Sequence, residues 1–164
     1  MKQYWSLTAS ASLIFSGVTA TRPPVAPAWE PTACALVTRD EAAKAWGADL
    51  PAGVERAIPV PVPGGRTVTT DLCMYGSAVA VSRTPLGSDA KHFFALLRQD
   101  NQATKGDDLI SVAGLGDEAF YGLGKLTIRK GSTLLEVSVA QKAGYGSREL
   151  AIAKRLGSLA LSRL

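Results

Sequence analysis

The chain has 164 residues, 46% of them apolar and 20% charged, the length of one domain and the proportions a globular protein requires. The net charge of +4 is small and dispersed, and no Lys/Arg run with interleaved aromatic residues exists. A nucleic-acid partner is therefore not expected.

The first segment reads as a secretory signal peptide, residues 1–20. Lys2 gives a positive start, Leu7 to Val18 (LTASASLIFSGV) is a short apolar stretch, and Val18-Thr19-Ala20 ends in small residues. It is too short and too rich in Ser and Thr for a membrane span, which needs about 20 mostly apolar residues. The competing reading is an uncleaved N-terminal anchor. No cysteine lies near the cleavage point to accept a bacterial lipid. No other segment is long and apolar enough to cross a bilayer, so no membrane span is expected after cleavage. The expected location is secreted or periplasmic. Residues 21–31 (TRPPVAPAWEP) carry four prolines and read as an extended linker. Residues 32–164 are expected to form a single domain.

Cys34 and Cys73 are the only cysteines. In an exported chain such a pair is expected to form one disulfide. Closing a loop of about 40 residues would stabilise the fold by about 3–4 kcal/mol. The alternative is a reactive thiol or a metal pair, but the spacing fits no zinc motif and no histidine is near either cysteine.

Thr38-Arg39-Asp40-Glu41 matches the capping box, so a short helix is predicted from Arg39 to Trp46, with Gly47 as its stop. Val54 to Val62 contains Pro59 and Pro61, which makes any strand there an edge or an irregular one. Thr67 to Tyr75 reads as a strand, Gly76-Ser77 as a hairpin turn, and Ala78 to Ser82 as the returning strand. Ser88 is the expected N-cap of a helix from Asp89 to Gln102, with Ala90, Phe93, Phe94 and Leu97 on its core-facing stripe. A short strand is expected within Leu109–Val112.

Val112 to Ala140 reads as a meander. Ala119-Phe120-Tyr121 is a short strand between glycine breaks. Leu126, Ile128 and Lys130 alternate with Lys125, Thr127 and Arg129, the pattern of a strand with one wet face. Gly131-Ser132 is a hairpin signal. Leu135, Val137 and Val139 then alternate with Glu136, Ser138 and Ala140. So Leu126, Ile128, Leu135, Val137 and Val139 should share one buried face. A final helix is expected with Ser147 as its cap, running to about Arg163, with Ile152, Ala153, Leu156, Leu159 and Ala160 inward. Within it, Gly157 costs about 1 kcal/mol relative to Ala, which packing must offset. The expected class is α+β, a mainly antiparallel sheet with three helices packed on one face. Each half reads as a helix followed by strands, the outline of an internal repeat.

The segment Cys34-Ala35-Leu36-Val37-Thr38 with Glu41 and Ala42, then Cys73-Met74-Tyr75, then Val112-Ala113-Gly114-Leu115-Gly116-Asp117-Glu118-Ala119 and a terminal Leu/Ala helix, resembles a family of small exported bacterial envelope domains. These are domains of unknown function found among actinobacterial lipoproteins. The resemblance covers roughly Cys34 to Leu161. It implies an exported α+β domain with a bonded cysteine pair, and it carries no catalytic residues.

His92 is the only histidine and falls one position off the apolar stripe of its helix, the place of a solvated side chain. Asp117 and Glu118 are the best-placed acids, in a glycine-framed loop. Adjacent strand residues point to opposite faces, however, so an acid/base pair is not expected, and Asp117 should bond nearby backbone amides instead. Gly114-Leu115-Gly116 and Gly122-Leu123-Gly124 lead into strands rather than a helix, so they read as turns, not phosphate cradles. No catalytic, metal or cofactor residue is assigned, and no cofactor is expected. The expected function is an extracytoplasmic binding or interaction module, not an enzyme, with an unknown small molecule or an envelope protein as partner. The alternatives are a structural subunit of an envelope assembly and a hydrolase. The hydrolase reading requires His92 or Asp117 in a deep pocket beside a second titratable group.

Overall fold

The computed structural model describes residues 31–105, 109–140 and 146–164. The expected signal peptide, residues 1–20, and residues 21–30 of the expected linker, Trp29 included, lie outside the described residues. Among the described residues, seven strands form one antiparallel sheet: β1 (Val54–Pro61), β2 (Thr67–Tyr75), β3 (Val79–Pro85), β4 (Ile110–Ser111), β5 (Glu118–Gly122), β6 (Lys125–Lys130) and β7 (Thr133–Val139). Their order across the sheet is β1-β2-β3-β7-β6-β5-β4. Four α-helices among the described residues accompany it: α1 (Ala33–Leu36), α2 (Arg39–Trp46), α3 (Ala90–Lys105) and α4 (Ser147–Leu161). The class is α+β, as the sequence predicts.

Two meanders, β1 to β3 and β4 to β7, meet where β3 pairs with β7, Val81 opposite Val137. Rows of side chains therefore run straight across both. Cys73, Val81, Val137 and Leu126 stand in one such row, and all are fully buried. This face carries the larger core, with Ile128, Leu135 and Val139, covered by α1, α2 and α4. The five residues expected to share a buried face do so.

The helices do not all lie on one face. Adjacent strand residues point oppositely. Phe120 and Leu134 face away from Ala119 and Leu135, into a second cluster with Ala90 and Phe94 of α3. The rings of Phe94 and Phe120 are 5.2 Å apart. So α3 covers the opposite side of β5, β6 and β7. The expected wet face of β6 is correspondingly dry at Thr127, which is 1% exposed. Each meander runs inward from its edge to the β3–β7 seam, but the helices do not repeat that arrangement, because α2 and α3 sit on opposite faces.

Local chemistry sets the helix ends. Thr38 accepts from Glu41 N–H while the Glu41 carboxylate accepts from Thr38 N–H, which closes the capping box. Gly47 ends α2 in the left-handed region at φ 82°, open to glycine at no steric cost. Ser88, the expected cap of the second long helix, lies instead inside a 3-10 turn, Gly87–Asp89, that leads into α3. The last helix takes Gly146, not Ser147, at its N-cap.

Cys34 and Cys73 lie at disulfide distance, with Cα atoms 5.0 Å apart, and join α1 to β2. Gly53 packs directly on the bridge: a Cβ there would sit 2.8 Å from Cys73 Sγ and 2.9 Å from Cys34 Sγ. The Tyr75 hydroxyl donates to the Val37 carbonyl beside it. No helix among the described residues is long and apolar enough to cross a membrane.

Candidate functional site

On the α3 side of the sheet, the end of β2 and the start of β3 border an open hollow. Met74, Ala80 and Ser138 stand in one row there, each opposite the next in register. They floor a trough of about 550 Å³. One wall is the β2–β3 turn, Gly76 to Ala78, and the other is the β5–β6 turn, Leu123 and Gly124. The end of β7 closes it at Val139 and Ala140. Small side chains make the hollow, since Ala80 and Ser138 rise little above the backbone.

None of the described residues lining the trough is charged. Among the described residues, a charged pair stands beside this row. Lys125, which stands opposite Ser138, reaches Glu136 at 2.7 Å. The lining is thus apolar with hydroxyls at Ser77 and Ser138, a surface for an uncharged or apolar group.

Leu123 is the unusual residue of this site. Among the described residues it is the one non-glycine with positive φ, at 54°. A side chain there costs about 1 kcal/mol, and turns of this kind normally use Gly or Asn. It also leaves its side chain 41% exposed at the rim. Backbone strain and an exposed apolar side chain coincide at one position beside a cavity, and such outliers gather at functional sites.

A second hollow of about 550 Å³ lies between α2 and α4, lined by Glu41, Lys44, Arg155 and Ser158 among others. Its carboxylate is already engaged: Arg163 holds Glu41 through two nitrogens. That contact, with the Thr38 amide, keeps the Glu41 carboxyl at a pKa of about 2.

The residues weighed for catalysis fall elsewhere. His92 is exposed on α3. Asp117 accepts from the Gly131 amide at 2.8 Å and from Arg129 Nη1 at 2.9 Å. The Gly131 bond, followed by the nearby Arg129 and Lys130 charges, holds its carboxyl below the usual range. Glu118 binds the same arginine at 2.9 Å. Asp117 thus organises the β6–β7 turn, as its place in the loop suggests, and lines neither hollow. Gly124 does line the trough, yet as part of a hairpin turn between strands. The trough was not foreseen. Its signal in the sequence is Leu123 between two glycines, an apolar residue at a turn position that favours Gly or Asn.

No protein-family model matches the chain, and no characterised protein or solved structure does either.

Proposed function

We propose that this chain is an exported binding module, not an enzyme, whose site is the trough between the β2–β3 and β5–β6 turns. The ligand is a small molecule with an uncharged, apolar body. The observation that carries this reading is Leu123, held in a costly conformation with its side chain at the rim. A volume of about 550 Å³ falls within the range of small-molecule sites. The cysteine bridge and the signal-like start support a secreted or periplasmic location. The likeness to small envelope domains of actinobacterial lipoproteins agrees with that placement.

The test is titration of the full chain with N-phenyl-1-naphthylamine, a neutral dye that fluoresces in apolar surroundings. Saturable binding is expected. Filling the trough with Ala80→Leu should weaken it about tenfold, the effect of losing roughly 1.4 kcal/mol of contact. Equal binding by Ala80→Leu, or no saturation, overturns the reading.

A further inference from the structure

Strand β1 closes one side of the sheet, and among the described residues no strand pairs beyond it. Its main chain has a definite orientation. Val62 N–H donates to Arg66 C=O at 2.9 Å across the β1–β2 connection, so Val62 faces β2. Orientation alternates along a strand. Val60, Ile58, Arg56 and Val54 therefore also face β2, while Glu55, Ala57, Pro59 and Pro61 face outward. The prolines agree with this parity, because they have no N–H for a neighbouring strand. They blunt the second half of the edge, a common protection against strand addition. The first half keeps the outward donors of Glu55 and Ala57. The opposite edge, β4, has only two residues.

The unprotected half is also shaped. A notch of about 150 Å³ opens at Ala57, lined by Thr32, Glu55 and Asp71 with neighbouring backbone. Ala57 stands opposite Asp71, and its methyl leaves that carboxylate 32% exposed. Glu55 lies two residues along on the same face and accepts from Cys34 N–H at 3.3 Å. Arg83, 5% exposed, faces Asp71 from the inner side at 3.3 Å. Burial, and then the Glu55 charge, hold the Asp71 carboxyl above its ordinary range. On the other face Val54 and Ile58 are 51% and 39% exposed.

We propose that the Val54–Ile58 edge takes up an extended peptide of another protein, in which basic and apolar side chains alternate. The peptide's main chain pairs with Glu55 and Ala57. Its lysine or arginine enters the notch toward Asp71 and Glu55, and its apolar residues lie on Val54 and Ile58. Strand addition of this kind takes affinity from main-chain bonds and selectivity from alternate side-chain pockets. A second copy of β1 does not fit, since it would bring Pro59, Pro61 and another Glu55 where donors and a cation are needed. This inference does not depend on the trough.

The experiment is fluorescence anisotropy of the full chain with labelled Val-Lys-Val-Lys-Val at low salt. Saturable binding is expected. Methylating alternate backbone nitrogens of the peptide keeps its charge and removes the strand donors, and should weaken binding at least about tenfold. Replacing lysine by norleucine, or Glu55 by Gln in the protein, should weaken it by a similar factor. Equal binding of the methylated peptide removes strand addition, equal binding of the norleucine peptide removes the acidic seat, and no saturation removes both.

Discussion

Arg163 closes on Glu41 with its two terminal nitrogens at 2.7 and 2.6 Å, across 122 residues of sequence. The same arginine donates to the Leu36 carbonyl at 2.8 Å. One side chain thus ties the end of α4 to α1 and to the first turn of α2. Glu41 is engaged twice over, because it also caps α2.

That relationship gives a pH prediction. The folded carboxyl of Glu41 has its pKa lowered to about 2 from 4.5. A depressed carboxylate adds stability above its unfolded pKa and loses it as pH falls through the folded one. The contribution should be complete at pH 6 and fade between about pH 4.5 and 2. Urea unfolding of wild type and Glu41→Gln across that window checks it. The stability gap should narrow as pH falls. A gap that stays constant from pH 6 to pH 2 contradicts it.

Reducing the Cys34–Cys73 bridge frees a segment spanning 39 positions. Chain entropy then predicts a loss of about 4 kcal/mol. Cys34→Ser with Cys73→Ser should lower the urea midpoint accordingly, and dithiothreitol should reproduce the shift in wild type. An unchanged midpoint would mean the bridge contributes nothing.

Two glycines should resist enlargement for steric reasons. A Cβ at Gly53 would meet both sulfurs and, at 2.9 Å, Tyr75 Cε1. Gly53→Ala should cost about 1–3 kcal/mol by overpacking. At Gly157 a Cβ would lie 2.8 Å from Ile128 Cδ1 and 3.1 Å from Leu126 Cδ2, both in the core. Helix propensity alone predicts that Gly157→Ala gains about 1 kcal/mol. The packing predicts that this gain is not realised. Thermal unfolding of each variant decides, and a full gain at 157 would show that β6 yields easily.

Leu123 should trade stability against binding. Leu123→Gly relieves the left-handed strain and should raise stability by about 1 kcal/mol. It should also weaken binding of the neutral dye by removing the rim. A variant that is less stable than wild type, or binds equally well, separates the strain from the site.

The sequence was most readable where the determinants are local. The capping box places α2 at Arg39–Trp46, and the alternation of Leu126, Ile128, Leu135 and Val137 assigns their shared face. The side taken by α3 was less readable. Phe93, Phe94 and Leu97 mark a buried stripe but not which face of the sheet receives it. The clue lies in the strands: Phe120 beside Tyr121, and Leu134 beside Leu135, show positions covered on both faces. Beyond Leu123 the trough was not readable, because it is made mostly by small residues from two turns and the ends of β2, β3 and β7, brought together by the β3–β7 pairing.

Amide chemical-shift mapping of the full chain with the neutral dye tests the proposed function most directly. Shifts are predicted at Gly76 to Ala80, Leu123 to Gly124 and Ser138 to Ala140, and nowhere on the α1–α2–α4 side. Shifts centred on the hollow between α2 and α4, or none at saturating dye, would contradict the assignment of the trough as the site.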